Sequence, residues 1–148
     1  MNIHIGADHR GFALKEDLKA YLDTNGHTVT DWGATTYVLD DDYPVFGKAV
    51  AHAVAKDPAS LGIVICGSGG GISIAANKVA GIRAVLVHDE TLARAVRNDD
   101  DANVLALGSD SISTESAQGV VEAFITTPFS GDARHLRRIG EIETIHGE

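Results

Sequence analysis

Short runs of aliphatic and β-branched residues alternate with longer segments of helical periodicity along the whole chain, and this alternation limits the fold more than any other feature. Asn2-Ile3-His4-Ile5-Gly6-Ala7 reads as a first strand. Leu14, Leu18, Tyr21 and Leu22 then recur at helical spacing, with Asn25-Gly26 as the stop signal. Residues 27–31 form a plausible second strand, and Pro44 suits the first turn of a helix whose apolar stripe is Phe46, Ala49, Val50, Ala53 and Val54. Leu61-Gly62-Ile63-Val64-Ile65-Cys66 is unbroken apolar sequence, the pattern of a strand covered on both faces. A helix to about Asn77, a fourth strand over 84–87 and a helix from an Asp89 N-cap through Val96 follow. The fifth strand is 104–107, Ala117, Val120, Val121, Phe124 and Ile125 mark the next helix, and a last one spans about 134–145.

Five strand–helix repeats with short connections predict an α/β fold, a three-layer αβα Rossmann-like domain around a five-stranded parallel sheet. No linker or composition break divides residues 1–148, so one domain is expected. The longest loop, residues 37–42, is expected to belong to a functional site rather than to a boundary.

Composition removes several classes of function. Twelve Lys and Arg against 21 Asp and Glu leave a formal net charge of −9, which repels nucleic acid and anionic lipid over most of the surface. No apolar run approaches the roughly 18 residues of a membrane helix, and the N-terminus lacks a signal-peptide pattern. The single cysteine excludes an internal disulfide framework and points to the cytoplasm. An anionic ligand must therefore meet a local exception to the global sign.

In a parallel sheet, ligands bind beyond the carboxyl ends of the strands. Those ends carry Asp8-His9, the Cys66-Gly67-Ser68-Gly69-Gly70-Gly71 loop, His88-Asp89 and Gly108-Ser109. Glycines let the loop backbone turn sharply and approach a ligand, and successive N–H groups beside a helix start form an anion cradle. A thiol there can act as base or nucleophile. Ile72 breaks the dinucleotide pattern G-x-G-x-x-G and also the Cys-x5-Arg pattern of phosphatases, while no Gly-Lys-Ser or Gly-Lys-Thr follows to make a P-loop. The alternative for this segment is a tight turn with an inert buried cysteine.

His9, beside Asp8, fits either a substrate contact or a loop histidine bonded to backbone. His4 alternates with apolar neighbours and reads as structural, whereas His27, His52 and His146 read as surface residues. No His, Cys and acid set has metal-ligand spacing, so no metal is expected. Arg134 and Arg138 are i,i+4 on a helix and can face one phosphate; the alternative is a solvated basic turn paired with Glu141 or Glu143.

Taken together, Gly6-Ala7-Asp8-His9, Asp42-Tyr43-Pro44, the segment from Cys66 through Lys78, Gly81-Ile82-Arg83, Asn103-Val104-Leu105-Ala106-Leu107-Gly108, and Arg134-His135 with Arg138 resemble the family of ribose-5-phosphate and galactose-6-phosphate isomerases. The resemblance runs in order over nearly the whole chain. It implies a cofactor-independent aldose–ketose isomerase that acts through an enediolate, built as a homodimer that can pair further, with its sites at the subunit interface. By the same resemblance Cys66 is the base that moves a proton between C1 and C2, and Ser68 replaces a common Thr as hydrogen-bonding group. The amides of Gly67, Gly69, Gly70 and Gly71 would stabilise the enediolate oxygen. Asp8, His9 and Tyr43 resemble substrate contacts, and Arg134 and Arg138 resemble phosphate ligands.

The chain departs from the family at three positions. Asp99-Asp100 replace a His-Asn pair whose His is assigned to opening the furanose ring, and Asp110 replaces a further Arg. Asp99 is thus expected in an acid–base role and Asp100 beside the substrate. Loss of the ring-opening His favours a sugar that forms no five-membered ring, D-erythrulose 4-phosphate to D-erythrose 4-phosphate. The alternatives are D-ribose 5-phosphate with ring opening by Asp99 or water, and a sugar-phosphate-binding protein without catalysis.

Overall fold

The structure is a computed structural model that describes residues 1–147, and side chains through residue 145. His146, expected at the surface, lies outside the described side chains. Five strands, β1 (Asn2–Ala7), β2 (Thr28–Asp31), β3 (Leu61–Cys66), β4 (Ala84–Leu86) and β5 (Val104–Gly108), form one parallel sheet in the order β2-β1-β3-β5-β4. Helices α1 (Phe12–Thr24), α2 (Tyr43–Lys56), α3 (Gly70–Ala76), α4 (Glu90–Asp100), α5 (Thr114–Thr126) and α6 (Ala133–Glu143) connect and cover it, and a 3₁₀ turn follows at Thr144–Gly147. No described helix is long and apolar enough to cross a membrane.

Alternate strand residues point to opposite faces. Ile3, Ile5, Ile63, Ile65, Leu105 and Leu107 meet Leu14, Leu18 and Leu22 of α1, Ala93 and Val96 of α4, and Phe124 of α5. Val64, Cys66, Val104 and Ala106 meet Val50 and Val54 of α2 and Ile72 and Ala76 of α3 on the other face. Every residue of β3 is buried, which accounts for the unbroken apolar run. The chain leaves β1 toward β2 on one side while β3 pairs on the other, so the crevice between the β1 and β3 ends is a topological switch point.

Several boundaries differ from expectation: β2 starts at Thr28 rather than His27, the last helix gives way to the 3₁₀ turn after Glu143, and α4 differs most. Helix α4 runs past Val96 to Asp100, because Arg97 stacks over the Phe124 ring at 5.6 Å and ends the helix by bonding Asp101 and the Ala102 carbonyl, both within the next turn. Asp101 then closes the helix in the left-handed region (φ 46°). Asp89 caps α4 as expected, its carboxylate accepting from the Leu92 N–H at 2.8 Å. Strand β4, on the sheet edge, is only three residues long.

Candidate active site

The buried end of β3 delivers Cys66 to the mouth of the sheet between the ends of β1 and β5. Its side chain is 4% exposed, and the Gly69 N–H donates to Sγ at 3.2 Å. That bond needs the loop to fold back within three residues, which Gly69 permits by adopting φ 77°, a conformation that strains residues with a Cβ. The first intrahelical bond of α3 runs from the Ser73 N–H to the Gly69 carbonyl, so the amides of Gly70, Gly71 and Ile72 precede any helical partner. The Gly70 N–H reaches the Ser68 hydroxyl at 3.3 Å, and Ser68 is exposed beside a cleft of 430 Å³ that Leu86, Val87, His88, Gly108, Ser111 and Ile112 also line.

Neighbouring strand ends brace this loop. The Asp8 N–H bonds the Ile65 carbonyl, and the Ser109 and Asp110 N–H groups bond the carbonyls of Cys66 and Gly67 at 3.0 Å each. Asp8 is 4% exposed, and its carboxylate accepts from the Gly11 N–H at 3.0 Å, fixing the β1–α1 turn. Tyr43 opens α2 with its phenol over Gly71: a Cβ there would lie 2.6–2.8 Å from the ring and hydroxyl, so only glycine leaves room for this contact. Cys66, Ser68, Tyr43, Asp8, His9 and the glycines of the loop are thus gathered at one end of the sheet. The sulfur is held by an amide in the loop's mouth, although its neighbours on the other side are packed aliphatic groups.

Three participants were not singled out in the sequence. Asp41 accepts both from the His9 backbone N–H and at the His9 ring Nδ1, each at 2.8 Å, leaving Nε2 as the free ring nitrogen. The 37–42 loop therefore does join the site, and Tyr37 stands edge-on to the His9 ring at 6.2 Å. Asp8, His9 and Asp41 bring ligand atoms within 4.8 Å of one another, a grouping that sequence spacing hides because 32 residues separate His9 from Asp41. Arg10 pairs with Asp110, and Ser109 bonds the Arg10 carbonyl at 2.9 Å. The signal for Asp41 was the Asp40-Asp41-Asp42 run, but nothing in it tells which acid turns inward.

The remaining expected residues lie elsewhere in the chain. Asp99 and Asp100 end α4 beside the start of β5, where the Asn103 N–H bonds the Arg83 carbonyl ahead of β4. Strand β5 alone rises about 13 Å between that edge and the mouth. Arg134 and Arg138 sit at this far corner as well: the Arg134 Nε–H donates to His135 Nε2 at 3.1 Å, and that nitrogen is 3.8 Å from Asp99 Oδ1. His135 is 4% exposed, with Nδ1 2.8 Å from the Ser130 hydroxyl. One chain therefore divides the expected set into a base-and-amide group at the mouth and an arginine–aspartate group at the opposite edge.

Comparison with known proteins gives a consistent picture. A family model described as Ribose/Galactose Isomerase matches residues 3–142. Ribose-5-phosphate isomerase B of Mycolicibacterium paratuberculosis is 43% identical over 149 residues, spanning 99% of this chain and 94% of the relative. The structure of Clostridium thermocellum ribose-5-phosphate isomerase B is similar at a TM-score of 0.95 and 42% identity, over 99% of this chain and 98% of that one. That of Mycoplasma genitalium ribose-5-phosphate isomerase B with bound ribulose-5-phosphate reaches a TM-score of 0.95 at 40% identity, over 99% and 97%.

Proposed function

The chain belongs to the ribose/galactose isomerase family and is an aldose–ketose isomerase of sugar phosphates; from that premise we propose that it interconverts D-ribose 5-phosphate and D-ribulose 5-phosphate. The observation that carries the chemistry is the Cys66 sulfur, met by an amide donor inside the glycine loop. The thiolate takes the proton from C2 of the open-chain aldose, the C1–C2 double bond forms, and the carbonyl oxygen becomes an enediolate oxygen facing the loop amides. The O2 hydroxyl proton passes to O1, with the Ser68 hydroxyl in the loop as its relay, and return of the carbon-bound proton to C1 gives the ketose. The chemistry needs a base, a donor set and a bound phosphate, and no organic cofactor or metal enters it.

The names of the relatives support the pentose; nothing in them supports the tetrose 4-phosphate expected from the loss of the ring-opening His. Asp99 remains the specific observation behind that second reading. It is half exposed at the end of α4, next to His135, and in the pentose reading it is the group that opens the furanose of a substrate held by a second copy. A second copy is part of the proposal because Arg134, Arg138, Asp99 and Asp100 lie about a strand's length from the same chain's Cys66. Leu136 and Ile142 on α6, with Ile74 on α3 and Leu86 on β4, expose apolar surface that such a copy would cover.

Steady-state kinetics on ribose 5-phosphate and erythrose 4-phosphate, with deuterium incorporation from heavy water, tests the reading. The expected result is a higher kcat/KM on the pentose and deuterium at C1 or C2. Preference for the tetrose restores the second reading, and binding without exchange points to a protein that holds the sugar phosphate without isomerising it.

A further inference from the structure

We propose that Arg10 is a substrate-phosphate contact and that Asp110 is the carboxylate that occupies its guanidinium until the phosphate arrives. The inference rests on the isomerase reading above and assigns to that site a residue with no other role in it. Arg10 leaves β1 two residues past Asp8, and its main chain is fixed on both sides. Its carbonyl accepts from the Ser109 hydroxyl at 2.9 Å, and the next amide, Gly11, is held by the Asp8 carboxylate at 3.0 Å. The side chain then lies flat on the glycine loop: a Cβ at Gly67 would overlap Cζ, Nε and Nη1 of Arg10. Gly67 is the residue after Cys66, so the guanidinium stands one residue from the sulfur, on the outer side of the loop.

Depth sorts the two ends of a substrate. Cys66 is 4% exposed, whereas the Arg10 and Asp110 side chains are 55% and 50% exposed. A sugar phosphate whose C1–C2 bond reaches the sulfur leaves its phosphate, the most strongly hydrated group, toward the rim where Arg10 lies. On this chain the rim is otherwise acidic, with Asp41 and Asp42 on the adjoining segments, so Arg10 sets a cation against the loop itself, in addition to the arginines that a second copy brings. Asp110 is built into the same frame through its N–H to the Gly67 carbonyl, and its Oδ2 meets the guanidinium at Nη2, an anionic oxygen where a phosphate oxygen would bind. Phosphate and Asp110 compete for one guanidinium.

Competition separates this role from a structural ion pair. Removing either partner breaks the pair equally, so a purely structural role moves Arg10→Ala and Asp110→Asn in the same direction. A ligand role moves them oppositely. The measurement is calorimetric binding of inorganic phosphate, together with its competitive inhibition of ribose 5-phosphate turnover. We expect Arg10→Ala to weaken phosphate about tenfold and to raise KM more than it lowers kcat. Asp110→Asn should tighten phosphate several-fold. Melting temperatures close to wild type check the fold, and Arg10→Gln replaces the alanine variant if that one melts early. Any other combination of shifts overturns the proposal, as does a wild-type protein that binds no phosphate. Wild-type protein that binds phosphate but fails to turn over ribose 5-phosphate sinks the substrate reading instead, and the calorimetric arm still decides Arg10.

Discussion

The Cys66 sulfur has one hydrogen-bond donor, the Gly69 amide, and no acidic or basic side chain bonded to it among the described residues. Its proposed role as proton carrier therefore depends on the atom itself. Cys66→Ser keeps the volume and the amide contact but replaces a thiolate with a hydroxyl that accepts a carbon-bound proton poorly. The expected outcome is a loss of about 10³-fold in kcat with KM nearly unchanged, and loss of deuterium exchange from solvent. Unchanged turnover would remove Cys66 as the base. The loop around it was legible in the sequence because local chemistry specifies it: a fully buried strand, then five residues of which four are glycine. Arg10 and Asp41 were not legible for the converse reason. Their partners, Asp110 and His9, lie 100 and 32 residues away, and only the closed sheet brings them together.

At the scale of elements, the piece that seats the 37–42 loop is the junction of α1 with the end of β2. Lys15 is fully buried, with its ammonium shared among Asp31, Glu16 and the Ala34 carbonyl and set 5.1 Å from the Phe12 ring centre. Burial pushes the Asp31 carboxyl up, but hydrogen bonds from Lys15 and Lys19 and from the Gly33 amide outweigh it, and the net direction is down. A carboxyl held below its ordinary value stabilises the fold above about pH 4, and that contribution is lost as the pH falls through the lowered value. Thermal melts of Asp31→Asn should accordingly show a flatter loss of Tm on acidification than wild type. At neutral pH the variant should be less stable by about 3 kcal/mol, because Lys15 keeps its charge without its main partner. Equal acid slopes in the two proteins would refute the assignment. The periodicities located every strand and helix but not this junction, since a buried lysine reads as a surface residue in any hydrophobic pattern. The same blindness hid the last turn of α4, where Arg97 acts through its stem and its stack on Phe124.

The whole molecule presents the proposed catalytic half-site and the proposed phosphate-binding arginines at opposite ends of one sheet, and no bending of a packed five-stranded sheet brings them together. Hydrophobic periodicity cannot show this, because it assigns residues to faces of elements and says nothing of which copy of the chain they serve. Two chains related by a twofold axis can resolve the geometry, each placing its α4 and α6 ends against the other's glycine loop. The consequence is testable with two inactive proteins. Cys66→Ala lacks the base and keeps the arginines; Arg134→Ala combined with Arg138→Ala does the reverse. After unfolding and refolding an equal mixture, half the dimers are hybrids, and each hybrid holds one site with its cysteine from one chain and its arginines from the other. About a quarter of wild-type activity should return. A site complete within one chain returns none, because every site in the mixture then carries one of the two lesions. Recovery near a quarter, absent when the two proteins are mixed without unfolding and do not exchange chains, identifies the second copy as part of the catalyst.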